Sequence, residues 1–441
     1  MKHKIRIWKA ITISVILFFL TDVSLAENRN ALNIRENNAD TLSSGFFQDD
    51  FISDGISGTS SLTYAGSFSP RRRFIHKIGI EARPGHIIPS HPFLQGKNEK
   101  GQPIKNSFSA HLKYSFQSPQ NTYTDRIFGG AYQGIGLAYY TFGEKESLGD
   151  PIAFYLFQGA RITRLCYQLS LNYEWNFGLS AGWKPYDYNN NYYNTIIGSK
   201  VNAYINTNLY LNRMLSRKFD LTAGITLTHF SNGNTRFPNA GLNTVDIKAG
   251  LIYNFNRQNR YFSKSSFRPP IPEFPRHISY DLTLFGSWRG KGVTFGEEHI
   301  ASPYTYTVLG FNFAPMYHLG YKFRAGISLD GFYDGSANIY TDDYHSHNFY
   351  KPPFYKQLAL GLSGRTEFVM PYFSVNLGMG LNMLHGGGDL KAFYQILALK
   401  IKLTRNSFIH IGYSLQNFET PNFLMLGIGL RFNNKYPHLY H

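Results

Sequence analysis

The sequence has 441 residues, a formal net charge of +16, 17% aromatic residues, 41 glycines and a single cysteine, Cys166. One cysteine excludes an intrachain disulfide and a thiolate metal cluster. The basic residues are scattered rather than clustered, which argues against nucleic acid and for an anionic lipid surface, or for the lumen and loops of a barrel.

Lys2, Lys4 and Arg6 precede an apolar run, Ile11–Leu20, and Ser24, Leu25 and Ala26 give a small-x-small pattern before Glu27. This predicts a secretory signal peptide over 1–26. The run is too short to cross a bilayer, and no later window offers the ~20 apolar residues of a spanning helix. If the mature chain sits in a membrane, it must therefore be a barrel. No lipidation cysteine follows the signal. Residues 27–70 are rich in Asn, Ser, Asp and Gly with weak periodicity and read as a poorly ordered leader, which runs into Arg71, Arg72 and Arg73.

From there apolar and polar residues alternate in segments of the length that tilted barrel strands require. Phe74, Ile78, Ile80 and Ala82 share one face, with Lys77, Gly79, Glu81 and Arg83 on the other. Comparable segments near 106–117, 131–142, 151–163, 165–184, 196–212, 217–230 and 242–256 complete an eight-strand region over 71–258. Long polar connections near 87–105, 143–150, 185–195 and 231–241 are offset by short turns at Arg161–Arg164 and Asn212–Lys218, the outer-membrane habit. The connection at 118–130 is longer than this pattern predicts.

The stretch 259–276 holds Pro269, Pro270, Pro272 and Pro275, which cannot donate to a sheet ladder, and reads as a linker. Alternation resumes over 277–434 for roughly eight more strands, before a short tail at 435–441. Leu358, Leu360 and Leu362 oppose Ala359, Gly361 and Ser363, and the final segment sets Leu424, Leu426, Ile428, Leu430 and Phe432 against Gly427, Gly429 and Arg431. The expected fold is an all-β transmembrane antiparallel barrel. Either one barrel of about sixteen strands or two tandem eight-stranded barrels fits, and the linker's length favours two.

One strand carries chemistry. Leu221, Ala223, Ile225 and Leu227 share the face opposite Asp220, Thr222, Thr226 and Thr228, and His229 and Ser231 continue the apolar row. A polar pair on the lipid side costs free energy unless it is hydrogen-bonded or sits at the headgroup rim. On the returning strand, stepping back from Val245, Ile247, Ala249 and Leu251 brings Asn243 to the same face. His229, Ser231 and Asn243 then form the base, nucleophile and orienting group that acyl transfer needs. Neutral His229 would take the Ser231 proton and return it to the departing alcohol. The Asn232 side chain, the Gly233 amide and Asn239 are the candidate oxyanion donors.

His229, Phe230, Ser231 and Asn232, followed by Pro238, Asn239, Ala240 and Gly241, resemble the H-x-S-N…P-N-x-G motif of the lipid A 3-O-deacylase family of outer-membrane barrels. That resemblance, which covers about 71–258, implies an eight-stranded barrel with a lipid-facing catalytic His and Ser. It implies hydrolysis of the 3-O-linked acyl chain of lipid A and release of a 3-hydroxy fatty acid. The implied partners are lipopolysaccharide as substrate and the lipids of a Gram-negative outer membrane, with no cofactor, no metal and no nucleic acid; a homodimer stays open. The family typically has a glutamate where Asn243 stands. Outer-membrane phospholipase A also resembles H-x-S-N-G and uses an asparagine as its third residue, so a phospholipase remains an alternative, as does an inactive barrel acting as a pore or structural element. Calcium dependence would accompany the phospholipase reading, but its ligands are not recognisable in the sequence.

Two further patterns imitate an α/β-hydrolase. Gly178, Ser180 and Gly182 match G-x-S-x-G, and His385–Gly388 matches an oxyanion loop. The first requires a strand–turn–helix elbow, whereas Ser180 falls within a long alternating strand. In the second half, Leu415, Gln416 and Asn417 with Pro421 and Asn422 occupy the place of the active hairpin without His or Ser.

Overall fold

The computed structural model describes residues 74–119, 122–257, 271–295, 298–341, 348–416 and 420–437. The predicted signal peptide and leader, the larger part of the proline-rich linker and the end of the tail lie outside the described residues.

Among the described residues, sixteen strands close into two antiparallel barrels of eight. The first holds β1 (Ile75–Ile87), β2 (Asn106–Gln117), β3 (Tyr132–Thr141), β4 (Gly149–Arg164), β5 (Leu169–Trp183), β6 (Val201–Met214), β7 (Phe219–Ser231) and β8 (Leu242–Asn254). The second holds β9 (Ile278–Phe295), β10 (Glu298–His318), β11 (Phe323–Asp334), β12 (Leu358–Val369), β13 (Phe373–His385), β14 (Phe393–Lys402), β15 (Ser407–Gln416) and β16 (Thr420–Phe432). Each ring closes on itself, through pairs such as Ala82↔Ala249 in the first and Thr283↔Gly429 in the second. Closure satisfies backbone groups that lipid cannot hydrogen-bond.

The two-residue period sorts the side chains. On β1, Ile78 and Ile80 are exposed on the outer wall, whereas Glu81 and Arg83 are buried in the lumen. Buried charges persist there because they are paired. In the first barrel Glu81 bonds Arg83 (2.5 Å), Lys113 (3.0 Å) and Lys248 (2.9 Å), and Lys113 also reaches Glu174 (2.5 Å). The second barrel has its own cluster: Lys400 lies 2.9 Å from both Asp281 and Glu367, with Arg431 and Arg324 completing it.

The long connections after β1, β3, β5 and β7 gather at one end of the first barrel, hereafter the loop end. At the opposite end the β4–β5 turn falls at 165–168, not at the predicted Arg161–Arg164, because β4 continues to Arg164 through an irregularity between Arg161 and Thr163. The overlong connection at 118–130 contains a one-turn helix, α1 (Tyr123–Ile127), whose N-cap Thr122 accepts a bond from the Asp125 amide at 3.2 Å. The barrels touch at this turn end, where Phe116 meets Tyr372 edge-on at 5.9 Å and the Tyr173 hydroxyl reaches Met370 Sδ at 3.3 Å.

Candidate active site at the loop end of β7 and β8

Strand β7 keeps its alternation to its last residue. Leu221, Ile225 and Leu227 are exposed on the outer wall, and His229 and Ser231 continue that row half-buried, while Thr222, Thr226 and Thr228 are buried inside. Between the two polar residues, Phe230 points inward and is completely buried. Its ring meets Trp183 at 4.9 Å and Tyr140 at 5.0 Å, both edge-on, within an aromatic cluster that fills the loop end of the lumen. Burying this ring holds the strand's phase, and the phase turns His229 and Ser231 outward.

Asn243 lies directly opposite His229 in the β7–β8 register and faces the same way. His229 Nδ1 is 2.7 Å from Asn243 Oδ1, and His229 Nε2 is 2.9 Å from Ser231 Oγ. An amide oxygen can only accept, so Nδ1 carries the proton and donates it to Asn243. The Nε2 lone pair is then left for the Ser231 hydroxyl, the arrangement of a base set against its nucleophile. The three residues picked out in the sequence are thus brought together on one outward surface.

The connecting loop is built by the other predicted residues. Asn232 donates its backbone N–H to Asn239 Oδ1 at 2.9 Å and its side-chain amide to the Arg236 carbonyl at 2.8 Å, and Thr235 Oγ1 donates to the Asn232 carbonyl at 2.8 Å. Asn239 Nδ2 reaches Asn234 Oδ1 at 3.1 Å. Gly233 and Asn234 adopt successive left-handed conformations, φ 64° and 63°, which reverse the chain just past Ser231. One N–H on Asn232 and one on Asn239 is thereby committed to the loop, so the asparagines build the turn whatever else their second N–H does.

Gly241 closes the motif without a role assigned to it there, and two further contributors, Ile196 and Asn194, carried no sequence signal of their own. Gly241 has φ 73°, and a Cβ there would lie 3.0 Å from His229 Cε1 and 3.0 Å from the Phe230 carbonyl oxygen. The Ile196 carbonyl accepts from the Ala240 and Gly241 amides at 3.1 and 3.2 Å, fastening the loop to the β5–β6 connection. Asn194, fully buried, accepts from the Ile196 and Ile197 amides and donates to the Ser147 and Lys184 carbonyls, so it knits that connection to the one between β3 and β4. Within an Asn- and Tyr-rich loop, nothing in the sequence singles Asn194 out.

Neither hydrolase imitation forms a site. Ser180 is buried inside β5, donating to the Asn202 carbonyl at 3.1 Å and accepting from Trp183 Nε1 at 2.9 Å. His385 ends β13, and its Nδ1 accepts from the Gly387 amide at 3.2 Å. Near the loop end of β15 and β16, the outward positions hold Tyr413 opposite Leu424, an apolar pair where β7 and β8 carry His229 and Asn243.

Two family models match the chain: "Lipid A 3-O-deacylase (PagL)" over residues 108–252 and "Acyloxyacyl hydrolase, C-terminal domain" over 278–434. The first span contains His229, Ser231 and Asn243. No curated protein matches. Among solved structures, the outer membrane enzyme PagL is 15% identical, with 39% of this chain and 97% of that one covered, at a TM-score of 0.25. Neisserial surface protein A is 8% identical, with 41% and 97% covered, at a TM-score of 0.27. The Acinetobacter baumannii outer membrane protein Omp33 is 8% identical, with 81% and 99% covered, at a TM-score of 0.16.

Proposed function

The chain belongs to the lipid A 3-O-deacylase family of outer-membrane barrels, and from that premise we propose that it is an ester hydrolase that removes the 3-O-linked acyl chain of lipid A, with Ser231 as nucleophile, His229 as base and Asn243 as orienting group. The protein crosses the outer membrane through its two barrels, and its outward apolar rows meet lipid. The observation that carries the reading is the bonded row Asn243, His229, Ser231 on the outer wall, where a membrane-borne ester can reach it.

In the proposed reaction, His229 Nε2 accepts the Ser231 proton as Oγ bonds to the ester carbonyl carbon. The carbonyl oxygen becomes an anion, for which the Gly233 amide and the second N–H of Asn232 or Asn239 are the available donors. Collapse of this intermediate breaks the bond to the sugar oxygen, which leaves with the proton from Nε2. Water, deprotonated by the same nitrogen, then releases the 3-hydroxy fatty acid and regenerates Ser231. Asn243 holds the Nδ1 proton throughout and so keeps the ring in the productive tautomer.

The amide at position 243, where the family typically has a carboxylate, favours one second reading: a phospholipase A that uses the same three residues. Mass spectrometry of lipid A and phospholipids from outer membranes containing the wild-type protein or Ser231→Ala separates the readings. Loss of a 3-hydroxyacyl chain from lipid A with the wild type alone is the expected result. Release of phospholipid acyl chains with lipid A intact would establish the phospholipase instead. No change in either lipid would leave an inactive barrel.

A further inference from the structure

The catalytic loop of the first barrel does not end in open lipid. Asn234, in the turn after Ser231, accepts a hydrogen bond through its carbonyl from the Gly290 amide of β9, at 3.1 Å. A Cβ on Gly290 would lie 3.0 Å from Arg236 Cα and 3.1 Å from the Phe237 amide nitrogen, and one on Gly292 would lie 3.2 Å from the Phe237 ring. On the other flank, a Cβ on Gly233 would lie 3.5 Å from Leu424 and 3.6 Å from the Tyr413 ring. The loop is therefore held between β9 on one side and β15 and β16 on the other.

The second barrel has room for it there. Among the described pairings, β16 bonds β9 from Phe432↔Tyr280 up to Leu426↔Gly286, and β9 runs on to Phe295 beyond the last of them. Beyond that stretch β9 offers its backbone to the loop of the first barrel, the Gly290 amide being the donor to the Asn234 carbonyl. Gly290 and Gly292 continue the outward row that includes the exposed Tyr280, Leu284 and Trp288. At the two positions where the foreign loop arrives, the row gives up its side chains: the loop's backbone comes up against Gly290 and the Phe237 ring against Gly292.

We propose that the seam between β9 and β16 of the second barrel is a positioning element of the hydrolase site: by seating residues 233–237, Gly290 and Gly292, with Tyr413 and Leu424 behind Gly233, hold the proposed Gly233 oxyanion donor in place beside Ser231. This rests on the ester-hydrolase reading above. It gives the second barrel, which has no His or Ser in its own corresponding hairpin, a task in the reaction of the first. An oxyanion donor acts in the transition state, so displacing it lowers kcat more than it raises KM.

The test uses the full chain in detergent with purified lipid A, comparing wild type, Ser231→Ala, Gly290→Ala, Gly290→Val and the double variant Tyr413→Ala with Leu424→Ala. Heat-modifiable migration on gels reports barrel folding. The expected result is a graded fall in kcat, with Gly290→Val reduced by at least ~10-fold, Gly290→Ala less and KM within ~3-fold, consistent with loss of a transition-state contact. The double variant removes only outer-wall side chains and should also lose kcat while staying folded, which covers the case in which Gly290→Val does not fold. Wild-type kcat in a folded Gly290→Val protein, or in the double variant, would overturn the proposal. If the wild type itself cleaves no ester, or Ser231→Ala cleaves it equally well, the hydrolase reading fails instead.

Discussion

His229 Nδ1 and Asn243 Oδ1 meet at 2.7 Å from directly opposed positions of β7 and β8, so the register of one hairpin sets the tautomer of the proposed base. An acceptor is all that Nδ1–H requires. Asn243→Asp, which keeps an oxygen at the same reach, should retain activity within ~10-fold, whereas Asn243→Ala should lose ~10- to 100-fold in kcat by freeing the ring. Steady-state kinetics on lipid A decide it. Equal activity in the alanine variant would remove Asn243 from the mechanism.

Phe230 links the site to the barrel interior. Its fully buried ring packs on Trp183 and Tyr140 while its neighbours face outward. Phe230→Ala should destabilise the first barrel by ~3–5 kcal/mol through the cavity it leaves, and Phe230→Leu by appreciably less. Denaturant unfolding in detergent micelles measures both. A near-neutral Phe230→Ala would show that the aromatic cluster does not hold the strand's phase.

Gly241 is confined from two directions, by a backbone φ of 73° and by the His229 ring 3.0 Å from where a Cβ would stand. Gly241→Ala should cost ~1–3 kcal/mol in backbone strain. The new methyl should also displace the imidazole and depress kcat. Thermal unfolding and kinetics on the same preparation test the two effects separately, and a variant unchanged in both contradicts the stated geometry.

Glu81 sits among Arg83, Lys113 and Lys248 with almost no solvent exposure. Glu81→Gln removes the negative charge shared by three cations and should destabilise the first barrel by ~3–5 kcal/mol, because unpaired charges then remain buried. The second barrel has separate ion pairs centred on Asp281 and Glu367 and should keep its own resistance to proteolysis. Limited proteolysis across a denaturant series reads the two barrels independently. Simultaneous loss of both would show that they unfold as one unit.

The strands and the pairing of His229 with Ser231 were legible in the sequence because both are written locally. Alternation along β1 or β7 assigns each residue to lumen or lipid, and two-residue spacing alone brings His229 and Ser231 to one face. The apolar row of β8, followed back to Asn243, supplied the third member by the same rule. Where that local rule met an irregularity, at Arg161–Thr163, the predicted turn fell a few residues early.

What alternation does not contain is an address for the partner strand. Backbone hydrogen bonds are alike in every strand, so whether β8 returns to β1 or continues into β9 depends on contacts between residues far apart in the chain, and only the tertiary structure decides for two rings over one. The same holds for the site's surroundings. Gly290 and Gly292 read as ordinary glycines until Arg236 and Phe237 are seen against them, because the meaning of an absent side chain lies in the neighbour that fills its place. The sequence by itself determined a lipid-facing His and Ser on a barrel strand; the folded chain alone decided that the loop beside them would be seated in the wall of a second barrel.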